Sequence, residues 1–89
     1  MAVLVIPSSL RRYTEQRSRI TMAAGTVEEM LKRFAESSHE LRNHLFAGEA
    51  LRKFVVVCKN GHDIRLLEGL ATSVGETDEV QIVASVAGG

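Results

Sequence analysis

Eighty-nine residues, 45% of them apolar and 25% charged, are enough for one domain with a modest core and leave little room for a deeply buried active site. Eleven basic residues balance eleven acidic ones at a formal net charge of zero, which argues against a general nucleic-acid binder. One cysteine excludes an internal disulfide, and there is no charged-then-apolar leader or long apolar run, so a cytoplasmic protein without a membrane partner is expected.

Val3-Leu4-Val5-Ile6 is an unbroken apolar run stopped by Pro7, and it predicts a strand buried on both faces. Pro7-Ser8-Ser9 supplies turn residues, and Leu10 to Arg17 reads as a polar, solvent-facing hairpin loop. Arg19 to Ala23 is a second strand with Ile20 and Met22 on one face, and Ala24-Gly25 turns the chain.

The clearest helix signal follows. Thr26 with Glu29 three residues later is a capping box, in which each side chain satisfies a backbone N–H at the helix start. Val27, Met30, Leu31, Phe34 and Ala35 then fall on one apolar stripe. Glu28–Lys32 and Glu29–Arg33 are i,i+4 pairs on the opposite side.

From His39 to Lys53 the pattern weakens; Leu41, Leu45 and Phe46 suit a short second helical turn that Gly48 breaks. Phe54 to Cys58 is a strong strand, Asn60-Gly61 a favoured two-residue hairpin turn, and His62 to Arg65 the returning strand. Leu66 to Thr77 is irregular, with Leu67, Leu70 and Val74 as anchors. Val80 to Val86 alternates as a last strand that leads into Ala87-Gly88-Gly89. The order β-β-α-β-β-β predicts an α+β fold: a β-grasp, ubiquitin-like, whose mixed sheet is crossed by one main helix. Its first and last strands should be parallel neighbours at the centre of the sheet, within a domain of residues 1–85 followed by a tail, 86–89.

Few internal residues suggest chemistry. Cys58 and His62 flank the hairpin turn, but Cys58 shares the phase of Phe54 and Val56, and a reactive thiol needs an electropositive, partly exposed setting. A cysteine packed on a strand face is the better reading. His39 and His44 are five residues apart with no second cysteine nearby, so no metal site is expected. Arg11, Arg12, Arg17 and Arg19 read as a solvated loop. No phosphate-cradling glycine loop or nucleophile elbow is present, and no catalytic residue is assigned inside the domain.

The C-terminus differs. After Val86 no side chain exceeds a methyl group, and glycine lacks a Cβ, so the tail can enter a channel that admits only backbone. Its reactive group is the terminal carboxylate, which can attack the α-phosphate of ATP and be captured as an acyl-adenylate by a sulfur, oxygen or nitrogen nucleophile. Charge is uneven: residues 1–53 hold nine basic and six acidic side chains, residues 54–89 two and five, which predicts a basic partner surface.

The chain resembles the small sulfur-carrier proteins of the ThiS/MoaD/CysO family, most closely the CysO branch. Ile6-Pro7-Ser8-Ser9-Leu10-Arg11, Asp63-Ile64-Arg65, Gly69-Leu70-Ala71-Thr72 and Val86-Ala87-Gly88-Gly89 carry the resemblance, the last being the most specific. Many relatives have a proline shortly before the tail where this chain has Ala84-Ser85. The resemblance implies that Gly89 is adenylated by an E1-like (MoeB/ThiF-type) enzyme using ATP and magnesium, and then carries sulfur as a thiocarboxylate. It implies a protein cosubstrate rather than an enzyme, with no bound cofactor. The sulfur would go to a sulfur-accepting synthase making a small sulfur metabolite, a pyridoxal-phosphate cysteine synthase being one candidate. Molybdopterin or thiamine synthesis and ubiquitin-like protein modification are the alternatives. Val86, Ala87 and Gly88 would form the reach to Gly89. The partner is expected to dock on an outward apolar strand face at Val55, Val57 and Val83, rimmed by Glu68, Glu76, Asp78 and Glu79.

Overall fold

The computed structural model describes the backbone of residues 1–84. Eleven elements follow in order, with two-residue strands among them: β1 (Ala2–Val5), β2 (Arg19–Met22), β3 (Gly25–Thr26), α1 (Val27–Ala35), α2 (His39–Leu45), β4 (Phe46–Ala47), β5 (Ala50–Leu51), β6 (Val55–Lys59), β7 (His62–Asp63), β8 (Ser73–Val74) and β9 (Glu79–Ala84). Three short 3₁₀ turns span Ser8–Thr14, Ile64–Leu66 and Gly69–Ala71.

One mixed sheet in the order β2-β1-β9-β6-β7 organises the chain. β9 lies between β1, to which it is parallel, and β6, to which it is antiparallel. This is the β-grasp arrangement, with the first and last long strands adjacent at the centre. One face of the sheet is closed by α1, which buries the expected stripe Val27, Met30, Leu31, Phe34 and Ala35. The Thr26–Glu29 capping box is formed in both directions. Gly25 approaches it closely: a Cβ there would meet the Glu29 carboxylate at 2.5 Å. Because Glu29 is engaged in the cap and Arg33 donates to the Ala23 carbonyl, only Glu28–Lys32 of the two helical pairs forms, at 3.2 Å.

The structure corrects several expectations. β1 is not buried on both faces: Ala2 and Leu4 are fully buried, whereas Val3 and Val5 are half-buried on the face away from the helix. The segment after Pro7 is not a solvated loop throughout, because its 3₁₀ run sends Leu10 into the core. The weak stretch after α1 resolves into a two-turn α2 that buries Leu41 and Leu45, followed by the small β4–β5 hairpin. In the irregular segment Val74 is a core residue and Leu70 packs against the core, but Leu67 is 45% exposed and Ile64 takes the buried place instead. Val74 also belongs to β8, which pairs with β3 beside the helix start.

Candidate functional site: the open sheet face and the strand that carries the terminus

β9 is the element that delivers the C-terminus, so its two ends define the site. At its beginning the strand is locked. The Asn60–Gly61 turn takes positive φ at both residues, 49° and 86°, as a two-residue hairpin requires. Asn60 then reaches across: its side-chain amide donates to Asp78 Oδ1 at 3.0 Å, its side-chain oxygen accepts from the Glu79 N–H at 2.9 Å, and its own N–H donates to the Glu79 carbonyl at 2.8 Å. Asp78 Oδ2 accepts from the Gly75 N–H at 2.7 Å and lies 3.5 Å from Lys59 Nζ. The Gly75 N–H, the Asn60 amide and the Lys59 ammonium hold the Asp78 carboxyl below its usual range, since all favour the charged form.

Its other end is where the described chain stops. Ala84, the last residue described, is paired with Val55 on β6. Chain direction puts the end of β1 here too, where Arg11 turns back to donate to the Ile6 carbonyl at 3.1 Å. The tail Val86, Ala87, Gly88 and the expected reactive Gly89 lie outside the described residues, as does the boundary drawn at residue 85.

Between these ends, the face of the sheet opposite the helices carries the outward residues. Register places Arg19, Val5, Gln81, Cys58 and Asp63 in one row across all five strands. The neighbouring rows hold Thr21, Val3 and Glu79 on one side, and Val83 with Val56 on the other. Val3, Val5, Val56, Cys58 and Val83 thus share this face, grouped around exposed Gln81, with Val83 42% exposed. Two of the three expected docking valines are not part of it. Val55 and Val57 are 6% and 1% exposed and face the core, because they pair with Ala84 and Ile82, in the opposite phase to Val83. Their place is taken by Val56, which is directly opposite Val83.

The expected acidic rim is dispersed. Glu79 lies on the open face, paired with Arg19 at 2.6 Å. Asp78 is committed to the lock, and Glu76 Oε2 lies 2.8 Å from the N-terminal amine. These three flank the beginning of β9, four or more residues before its exit, while Glu68 belongs to the exposed loop between the last two 3₁₀ turns. Asp63, quoted above only for the family resemblance, joins the outward row as well; Arg65 binds it through two nitrogens and holds its carboxyl below the usual range. Only the registers of β1 and of β6 against β9 could have exposed Val3, Val5 and Val56, since each strand alone permits either phase.

Cys58 is half-buried on the open face beside Val56, as its phase indicated. Its cross-strand partner is Asp63, and His62 pairs with Lys59 instead. Among the described residues no group of three or more metal-ligating side chains comes together, and no helix is long and apolar enough to cross a membrane.

Comparison with known proteins decides the kinship of this arrangement. The ThiS family matches residues 4–89, through to the final glycine. The chain belongs to the ThiS family. The sulfur carrier protein CysO of Mycobacterium tuberculosis (strain H37Rv) is 30% identical over 88 residues, covering 94% of each chain, and so is CysO of Mycobacterium bovis. In structure, the chain from the Amycolatopsis orientalis BexX/CysO complex superposes with a TM-score of 0.87 at 28% identity, covering both chains fully. The small archaeal modifier protein 1 of Methanosarcina acetivorans shares the fold, with a TM-score of 0.83 at 23% identity over 99% of this chain and 95% of its own.

Proposed function

We propose that this chain is a sulfur carrier of the CysO kind, acting as a protein cosubstrate through its C-terminal Gly89. The observation that carries the reading is a family match running to residue 89, on a chain whose central strand β9 is the last element described before the terminus. A Gly89 carboxylate oxygen attacks the α-phosphorus of ATP and pyrophosphate leaves. A sulfide-equivalent nucleophile then displaces AMP, leaving a thiocarboxylate. Its sulfur is the nucleophile delivered to an electrophilic carbon, and loss of the acyl group by hydrolysis returns Gly89 to a carboxylate. ATP and magnesium belong to the E1-like adenylating partner. The domain contributes a handle, the patch of Val3, Val5, Val56 and Val83 for docking, and a reach of about 3.3 Å for each extended tail residue.

Kinship to CysO supports delivery into a small sulfur metabolite, cysteine or a sulfur-containing natural product, ahead of molybdopterin or thiamine. The neighbouring CysO was crystallised in a complex with BexX, which supports docking on a partner protein. The test is intact-mass measurement on protein from its native host, before and after deletion of Gly89. A sulfur-for-oxygen exchange that vanishes with Gly89 is expected. Isopeptide-linked ladders on other proteins, with no such exchange, would replace this reading by protein modification. For the acceptor, thiocarboxylated protein is mixed with a pyridoxal-phosphate cysteine synthase and an activated serine. Extension of Gly89 by one cysteine is the expected product, and sulfur delivery only to a molybdopterin or thiazole precursor would overturn the cysteine route.

A further inference from the structure

A groove of about 620 Å³ opens on the helix side of the sheet, beyond the edge of β6. Its apolar lining comes from Leu51, Val55, Val57, Ile64 and Leu70. β7 covers that edge only at Cys58 and Lys59, so the first half of β6 has no strand beside it there among the described residues.

The hydrogen-bond phase of β6 shows what this edge offers. The Asn60 N–H donates to the Glu79 carbonyl at 2.8 Å, in the same register that pairs Val57 with Ile82. Antiparallel ladders alternate bonded and non-bonded pairs, so Val56 and Cys58 spend their backbone groups on β9, while Val55 and Val57 turn theirs to the outer edge. The Val55 N–H is taken by the Arg52 carbonyl at 3.0 Å. The Val55 carbonyl and both backbone groups of Val57 have no hydrogen-bond partner on that side among the described residues.

We propose that this half-edge accepts a strand from a partner protein, an extended segment with apolar residues at alternate positions and a carboxylate at its end. The added strand bonds to Val55 and Val57 and drops every second side chain into the groove, against those two valines and Ile64. Its other side chains emerge on the open face beside Val56. Apolar surface continues outside the groove: Leu66 and Leu67, in the turn between Ile64 and Leu70, are 83% and 45% exposed.

Charge selects the polar part of the segment. Glu49 is paired with Lys32 at 3.2 Å, and Asp63 with Arg65 at 2.6 Å. Arg52 donates its Nε–H to the Asn43 carbonyl, a neutral acceptor, and keeps its positive charge. Lys53 beside it is exposed and has no ion-pair partner among the described residues. Two adjacent cations in the groove lining, just before β6, are thus left uncompensated, and an acidic segment complements them. This surface is separate from the outward valines of the sheet and requires neither ATP nor sulfur.

Amide NMR on the full-length chain tests it, with the blocked peptide Asp-Val-Ile-Val-Asp as probe, acidic at both ends so that either strand direction meets the cations. At millimolar concentration it should shift the amides of Val55, Val57, Ile64 and Leu70. Hydrogen exchange at Val57 should slow several-fold because its N–H gains an acceptor. Val56 and Cys58, already bonded to β9, should exchange as before. Lys53→Glu, at an exposed position, should weaken binding about five-fold, and the peptide Lys-Val-Ile-Val-Lys should not bind the native chain. No shift, equal binding of both peptides, or shifts confined to the open face around Val3 and Val83 would each overturn the proposal. So would Val57 protection that rises with protein concentration before peptide is added, which would assign the edge to a second copy. Gly89 enters none of these readouts, so a negative result here leaves the carrier function standing.

Discussion

Val56 and Val57 are adjacent in sequence and differ only in the face of the sheet they occupy, so together they test the register on which the proposed docking surface rests. Val57→Ala removes two carbons from a site that is 1% exposed, among residues of the closed core. At about 0.8 kcal/mol per buried methylene plus a cavity term, the expected cost is about 2 to 3 kcal/mol. Val56→Ala removes the same atoms from a half-buried position on the open face, where solvent fills the space and no cavity forms. Its cost should be below about 1 kcal/mol.

Urea unfolding followed by circular dichroism separates the two. With a slope of about 1 kcal/mol per molar for a domain of this size, Val57→Ala should lower the midpoint by about 2 to 3 M and Val56→Ala by less than about 1 M. Activation by the adenylating partner should sort the variants in the opposite order. Below its unfolding temperature Val57→Ala should keep near-normal kcat/KM for ATP–pyrophosphate exchange, while Val56→Ala raises KM for the carrier. Equal destabilisation by both variants, or a docking defect confined to Val57→Ala, would mean that the phase of β6 is wrong.

Three further predictions concern single interactions. Thr26→Ala removes one half of the capping box and should cost about 1 kcal/mol in the same urea titration, without altering partner kinetics. Asp78 titrates below an unstructured carboxylate, so its contribution is fully present above about pH 4 and is lost as pH falls through its lower folded value. Asp78→Asn should flatten that acid limb of the stability profile, and an unchanged limb would remove Asp78 as its cause. Cys58→Ser should leave sulfur transfer largely intact if, as proposed, Gly89 bears the sulfur; a complete loss of transfer in the folded variant would require a relay thiol.

The parts of the fold that local chemistry dictates were legible in the sequence. The stripe from Val27 to Ala35 and its capping box specify α1, and Asn60-Gly61 specifies the β6–β7 turn, since each signal is complete within a few residues. Parallel pairing of the first and last strands was legible through the element order, which predicted a β-grasp. The phase of each strand was not. Val55-Val56-Val57 offers three equivalent side chains, and the choice of outward residue is made by pairing with Ile82 and Val83, some 26 residues away. Leu10 and Ile64 were hidden for a related reason: each enters the core from a 3₁₀ turn, whose period neither helix nor strand templates describe.

On the proposed reading, the lock at the beginning of β9 ties the position of the terminus to the sheet. A slip of one residue in the β6–β9 pairing would carry Gly89 about 3.3 Å nearer or farther and would also exchange Ile82 and Val83 between the two faces. Reach and docking surface are therefore set by the same register. Asn60 fixes it by bonding both Asp78 and Glu79 from the one turn that also terminates β6. Asn60→Ala keeps the sheet residues themselves unchanged, so its damage should appear as poor alignment rather than lost contact. Partner binding would persist through Val56 and Val83 while the rate of adenylation at Gly89 falls, a split that loss of the docking patch would not produce.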